Sequence, residues 1–142
     1  VLPHDVVREA ARLIREGGHS QRCHARDEHG FEVPLFTNTR GMTEVDTSRA
    51  KVGKATAYSI YGAIAVAIQS NSTNPTPIWV AVRDEALRCA KSVPGGNNHL
   101  HPVMALNEHP DTTAEDAVAF LERVAMLLEP TSKQTSEVAA NG

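Results

Sequence analysis

Residues 47–70, TSRAKVGKATAYSIYGAIAVAIQS, decide the class of the fold. From Ile60 to Ile68 almost every position is apolar or small, which leaves no polar stripe for water. A helix of that composition is buried on all sides. The spacing predicts one helix from Thr47 to about Ser70, and its alanines and Gly62 let neighbouring backbones come close. The run is about half the ~20 residues a bilayer-spanning helix needs, so it reads as the centre of a soluble domain.

The flanking segments supply helices to pack around it. In PHDVVREAARLIREGG, residues 3–18, Val6, Val7, Ala10, Leu13 and Ile14 recur at helical spacing, and Gly17-Gly18 stops the run. A third helix follows Thr76-Pro77 through IWVAVRDEALRCAKSV and ends at Pro94-Gly95-Gly96. The stretch NNHLHPVMALNEHPD is a connector with one helical turn around Val103 to Leu106. Thr112 and Glu115 then form a capping box for a fourth helix, AEDAVAFLERVAMLLE, with Ala117, Leu121, Val124 and Leu128 inward.

Between the first two helices, Cys23, Ala25, Phe31 and Val33 alternate around Asp27-Glu28-His29-Gly30, a tight turn opened by Asp and closed by Gly. A short β-hairpin is expected there, limited by Pro34. TNTRGMTEVD, residues 37–46, reads as a polar loop. The expected architecture is therefore mainly α: a four-helix domain over residues 1–129, a short β-hairpin after the first helix, and a flexible polar C-terminal tail over 130–142.

Composition agrees. The chain has 142 residues, 41% hydrophobic and 22% charged, enough for one core. Aromatics make up only 4%, so Ala, Val, Leu and Ile must fill that core. A formal net charge of -3 supplies no field for nucleic acid or anionic membranes, and residues 107–142 are locally acidic, with seven carboxylates against two basic residues. The opening lacks a basic region followed by an apolar run, so no signal peptide and a cytoplasmic location are expected. Cys23 and Cys89 read as reduced thiols.

GGHSQRCHARDEHG, residues 17–30, raises the question of a metal. His19, Cys23, His24 and Asp27 are ligand types, and His99, His101 and His109 could join them. Structural zinc sites draw on paired ligands at matched spacing, and here one cysteine stands without a second pair. Solvated imidazoles in a polar hairpin and connector are the preferred reading, so neither metal nor cofactor is predicted. Nucleophilic catalysis finds no Gly-x-Ser-x-Gly turn, and Cys89 sits inside an amphipathic helix as a structural thiol. VGKAT would need glycine at 48 and Ser or Thr at 55 to be a phosphate loop, but Ser48 and Ala55 stand there. Arg40, Arg49, Lys51 and Lys54 are the candidate anion contacts, interrupted by Glu44 and Asp46 and without interleaved aromatics. Trp79, the single tryptophan, anchors either the core or an interface.

AARLIREGGHSQRCHARDEHGFEV resembles the opening of an uncharacterised family of small actinobacterial and actinophage proteins. Gln21, Ala25-Arg26-Asp27 and Gly30 match its turn, and Gly62-Ala63 match a second-helix step. Leu106-Asn107-Glu108 with the helix after Thr112 resembles its closing part. His19 stands where the family has an aromatic, Ser59 where it has Cys, and Leu106 where it has Trp. The resemblance covers roughly residues 6–128 and implies a phage or actinobacterial setting without an established activity. Gln21, Arg26, Asp27 and Gly30 are thus structural-turn or interface candidates, beside Trp79 on its own reading.

The leading expectation is a non-enzymatic factor that binds another protein, itself monomeric or a homo-oligomer, with no membrane or nucleic-acid partner. The alternatives are a metal-dependent hydrolase built on the hairpin and connector histidines, and a small anion binder near Arg26, Arg40 and Lys54.

Overall fold

The computed structural model describes residues 2–33, 35–37, 43–45, 55–71 and 74–130. Five helices carry the fold: α1 (Pro3–Gly17), α2 (Ile60–Asn71), α3 (Pro75–Ser92), α4 (Pro102–Glu108) and α5 (Ala114–Leu128). Four short strands, β1 (Ala25–Asp27), β2 (Leu35–Thr37), β3 (Thr43–Val45) and β4 (Ala55–Tyr58), make two antiparallel pairs, β1 with β4 and β2 with β3.

The central helix starts later than its sequence spacing predicts. Ala55–Tyr58 is strand, paired Ala25 to Tyr58 and Arg26 to Ala57, with an irregularity before Asp27 meets Ala55. Alanine favours helix, but here pairing with β1 and packing under α1 outweigh propensity. The fit is tight: a Cβ on Gly17 would lie 1.7 Å from the Thr56 carbonyl oxygen. Ser59 then turns the chain, its Oγ accepting from Gly62 N at 2.9 Å, an N-cap that begins α2 at Ile60. Seven of the twelve α2 residues are buried, from Ile60 to Ile68, as their composition requires.

Three other boundaries shift for local reasons. α4 is a helix of its own rather than a single turn in a connector, which makes five helices instead of four. Its start at Pro102 uses the missing proline N–H where no intrahelical bond is needed. The α5 cap is Thr113, not Thr112: Thr113 is extended and its side chain accepts from Asp116 N. Thr112 Oγ1 instead donates to Leu106 O at 2.7 Å. Finally, β2 and β3 fall partly in the stretch read as a polar loop, with Leu35 paired to Val45 and Thr37 to Thr43.

One core joins all this. α1 contributes Val6, Val7, Ala10, Ala11 and Ile14, and packs chiefly on α5 and α2. α5 answers with Ala117, Leu121, Val124 and Ala125, α3 with Val82, Ala86, Cys89 and Ala90. So many alanines let helices approach closely, which is how a chain poor in aromatics fills its interior. No helix of the described residues is long and apolar enough to cross a membrane. The expected tail, residues 130–142, lies outside the described residues from position 131 onward.

Candidate functional site

The loop from Gly18 to His24 is strapped to the edge of β4. Ser20 N donates to Tyr58 O at 2.9 Å and Tyr58 N to Gly18 O at 3.1 Å. From the other side α4 pushes Asn107, only 4% exposed, into the same junction. Its Nδ2 donates to Ser20 O and to Glu108 Oε1, both at 3.1 Å. Those two acceptors fix the orientation of the amide, so Oδ1 faces the other way. There it accepts from Ile60 N at 2.9 Å and from His19 Nε2 at 2.8 Å. Since Oδ1 can only accept, the His19 proton is on Nε2. Asn107 therefore binds three segments: α4, the first turn of α2 and the 18–24 loop.

The neighbouring polar groups complete the clasp. Gln21 Nε2 donates to Asn107 O and His109 O, at the C-terminal end of α4. Arg22 N donates to Glu108 Oε2 at 2.7 Å. Arg22 is the only non-glycine among the described residues with positive φ, at 70°, a conformation that costs a residue with Cβ free energy and collects at binding and catalytic sites. His24 Nδ1 meets Ser59 Oγ at 2.7 Å. A Cβ on Gly62 would sit 2.1 Å from His24 O, so the loop presses directly on α2.

The tight turn after β1 is closed by its own side chains. Asp27 Oδ1 accepts from His29 N and Phe31 N, both at 2.9 Å, and Gly30 N donates to Asp27 O. The Arg26 guanidinium donates to Gly30 O and Gln21 O, which joins this turn to the 18–24 loop. Val33 N donates to Ala25 O, the hairpin bond expected from the alternation.

Beside the clasp runs a groove. Three depressions of about 130, 10 and 250 Å³ adjoin one another, and His24 and Met104 border all three. The first is walled by Tyr61, Ala65 and Trp79. The Tyr61 and Trp79 rings are 5.8 Å apart and tilted by 56°, a favourable aromatic geometry. Burial pushes the Tyr61 phenol above its ordinary pKa, so it is neutral at physiological pH. The smallest depression, the size of a single water, touches Ser59 and Asn107. The largest is rimmed by Arg22, Cys23, Glu32 and Glu108. Met104 is 41% exposed on the floor between them.

This arrangement does not make Ser59 a nucleophile of the strand–turn–helix type. That chemistry needs the N–H after the serine free to hold an oxyanion. Here Ile60 N is already bonded to Asn107, and Ser59 Oγ, which also meets His24 Nδ1, accepts the cap bond from Gly62 N. The other expected chemistry is also placed apart. His99 and His109 border one apolar depression near Val93 and Leu106, His101 does not, and His109 Nδ1 accepts from Asp111 N. His19 and His24 hold different partners on the α4 and α2 sides. No three His, Cys, Asp or Glu of the described residues are grouped to hold a metal ion. Cys23 and Cys89 are free thiols. Arg40, Arg49, Lys51 and Lys54 lie outside the described residues.

Residue types alone did not single out Asn107, Ser59, Tyr61 or Met104. Asn107 carried a signal in Leu106-Asn107-Glu108, a polar pair ending a short apolar run. Tyr61 carried one as the polar-tipped ring within the apolar run from Ile60 to Ile68. Both signals are positional, and they gain meaning only when α4 is laid against α2.

Fold and groove together define a small, mainly helical domain whose short strands and loop hold a polar clasp. The chain belongs to the family of unknown function DUF6197, whose model matches residues 1–127. No curated protein matches it, and no solved structure does.

Proposed function

We propose that this protein is a non-enzymatic accessory factor that works by binding another protein through the groove along His24, Tyr61, Trp79 and Met104. The observation that carries this is the make-up of the groove: an aromatic pair and an exposed methionine as an apolar strip, rimmed by Arg22, Glu32 and Glu108. Apolar centre and polar rim are the anatomy of protein interfaces, where Trp and Tyr supply most of the binding energy. Methionine adapts its shape to a partner. Size argues the same way. The aromatic depression holds about 130 Å³, room for one inserted side chain, and the adjoining depressions extend it into a groove along which a chain segment can lie. The resemblance to actinobacterial and actinophage proteins supplies the setting, a host cytoplasm in which such a factor meets its partner.

The test is a photo-crosslinking amino acid at position 104, expressed in the native host, with the same residue at exposed Arg88 as control. Discrete adducts formed from position 104 and absent from position 88 are expected. A position-104 pattern identical to the control would remove the groove from consideration.

A further inference from the structure

The rim of the groove specifies the charge of what it takes. Glu108 is held at two points: Oε2 accepts from Arg22 N at 2.7 Å and Oε1 from Asn107 Nδ2 at 3.1 Å. Both donors are neutral, so the carboxylate is fixed in place without being neutralised. A carboxylate has about four lone-pair directions, and half of those of Glu108 remain for a ligand. Glu32 stands on the same rim, exposed, and among the described residues neither carboxylate is paired with a cationic side chain. Among the described residues, the opposing cation on that rim is the exposed Arg22, on a long stem that must be ordered before it can bind. A pre-positioned carboxylate carries no such cost, so it dominates recognition. The groove thus offers an apolar socket at Tyr61–Trp79 and an anionic clamp at Glu32–Glu108, with Met104 between them.

Resting on the protein-binding reading above, we infer that the partner presents a short segment with one apolar side chain and a basic residue within a few positions of it. The apolar side chain enters the Tyr61–Trp79 socket and an Arg or Lys reaches the Glu32–Glu108 rim. Arginine suits it better, because a planar guanidinium can take the free lone pairs of a fixed carboxylate in pairs.

The experiment uses three arrays of 12-residue peptides in which one Leu or Phe has, one to four residues away on either side, an Arg, a Gln or a Glu. Binding of the whole protein is read on the arrays and checked in solution by fluorescence of Trp79, the only tryptophan in the chain. The Arg array should bind best and the Glu array worst. Glu32→Lys should weaken the Arg peptides about fivefold, as reversing a rim charge does, and should leave Gln peptides within error. Equal binding to the Arg and Gln arrays, or preference for Glu, overturns the basic-segment inference while leaving a protein-binding groove. Silence from all three arrays removes both. Arg-peptide binding left unchanged by both Glu32→Lys and Glu32→Gln would show that charge is not what the rim reads, and would also overturn it.

Discussion

At the scale of single residues, Asn107 is the position on which most depends. Its amide satisfies a buried N–H of α2 and a buried carbonyl of the 18–24 loop. Asn107→Ala leaves both unpaired, and each orphaned buried group costs on the order of 1–3 kcal/mol. We expect a loss of roughly 2–4 kcal/mol in urea denaturation. Asn107→Asp should fare no better, because a carboxylate replaces the Nδ2 donor and faces Ser20 O and the Glu108 carboxylate. A near-neutral Asn107→Ala would mean that the junction is wet and that the clasp holds nothing. Gly62 makes the complementary point. A methyl group there would sit 2.1 Å from the His24 carbonyl, backbone against backbone, with no side chain to move aside. Gly62→Ala should therefore destabilise the chain even though alanine is the better helix former in isolation, and the sign of that change in thermal melting is the check.

At the scale of elements, capping and pairing set boundaries that periodicity leaves loose. The apolar faces of α1 and α5 were legible because 3.6-residue spacing repeats over several turns of Val, Ala, Leu and Ile. The α5 cap was legible to within one residue, since adjacent threonines, each three residues before an acid, offer two frames and only backbone geometry chooses. The strand Ala55–Tyr58 was not legible, because its two alanines and the apolar run after it read as helix despite Thr56 and Tyr58, and its partner Ala25–Asp27 is thirty residues away. The chosen frame makes a testable claim. Thr113 N donates to Asp116 Oδ2 at 2.9 Å and Asp116 N to Thr113 Oγ1 at 3.1 Å. The backbone N–H of Thr113, helped by its side chain, holds the Asp116 carboxyl below its ordinary value of 3.8. A depressed folded value contributes stability above the unfolded value and loses it as pH falls through the folded one. Asp116→Asn should thus lower the urea midpoint at pH 7, and the gap to the unsubstituted chain should close below about pH 3.8. Thr113→Ala removes the cap acceptor itself and should cost about 1 kcal/mol, whereas Thr112→Ala should not weaken the α5 cap. The reverse ranking of the two threonines would restore the earlier frame.

At the scale of the whole molecule, one core runs from α1 through α2 and α3 to α5, and the groove is a by-product of how α4 closes over it. The helix inventory was legible in outline because each buried face is written along one segment. The site was not, because its members come from positions 22–32, 59–61, 79 and 104–108, and no local pattern brings these together. The ion pairs between α1 and α5, Arg8–Glu129 and Arg15–Glu122, are all at least 39% exposed and add little to the packing beneath them. Cohesion therefore rests on the buried cluster, and Cys89 is a probe of it. Cys89 belongs to that cluster at 4% exposure, and burial, with Glu85 in support, pushes its thiol above the ordinary pKa. Thiolate is the form that reacts, so two effects protect it in the folded chain. Cys23 is half-buried in the loop, its Sγ 3.3 Å from Ser20 Oγ, and has no comparable cover. Iodoacetamide should accordingly modify Cys23 first, in the native state, and Cys89 only through opening of the core. If the core opens as one unit, the Cys89 rate in rising urea will follow the unfolding curve reported by Trp79, since both residues lie on α3 and the core offers no smaller unit to release it. Labelling of Cys89 in water as fast as that of Cys23, by intact mass, would mean that α3 detaches by itself, and the socket at Trp79 would detach with it.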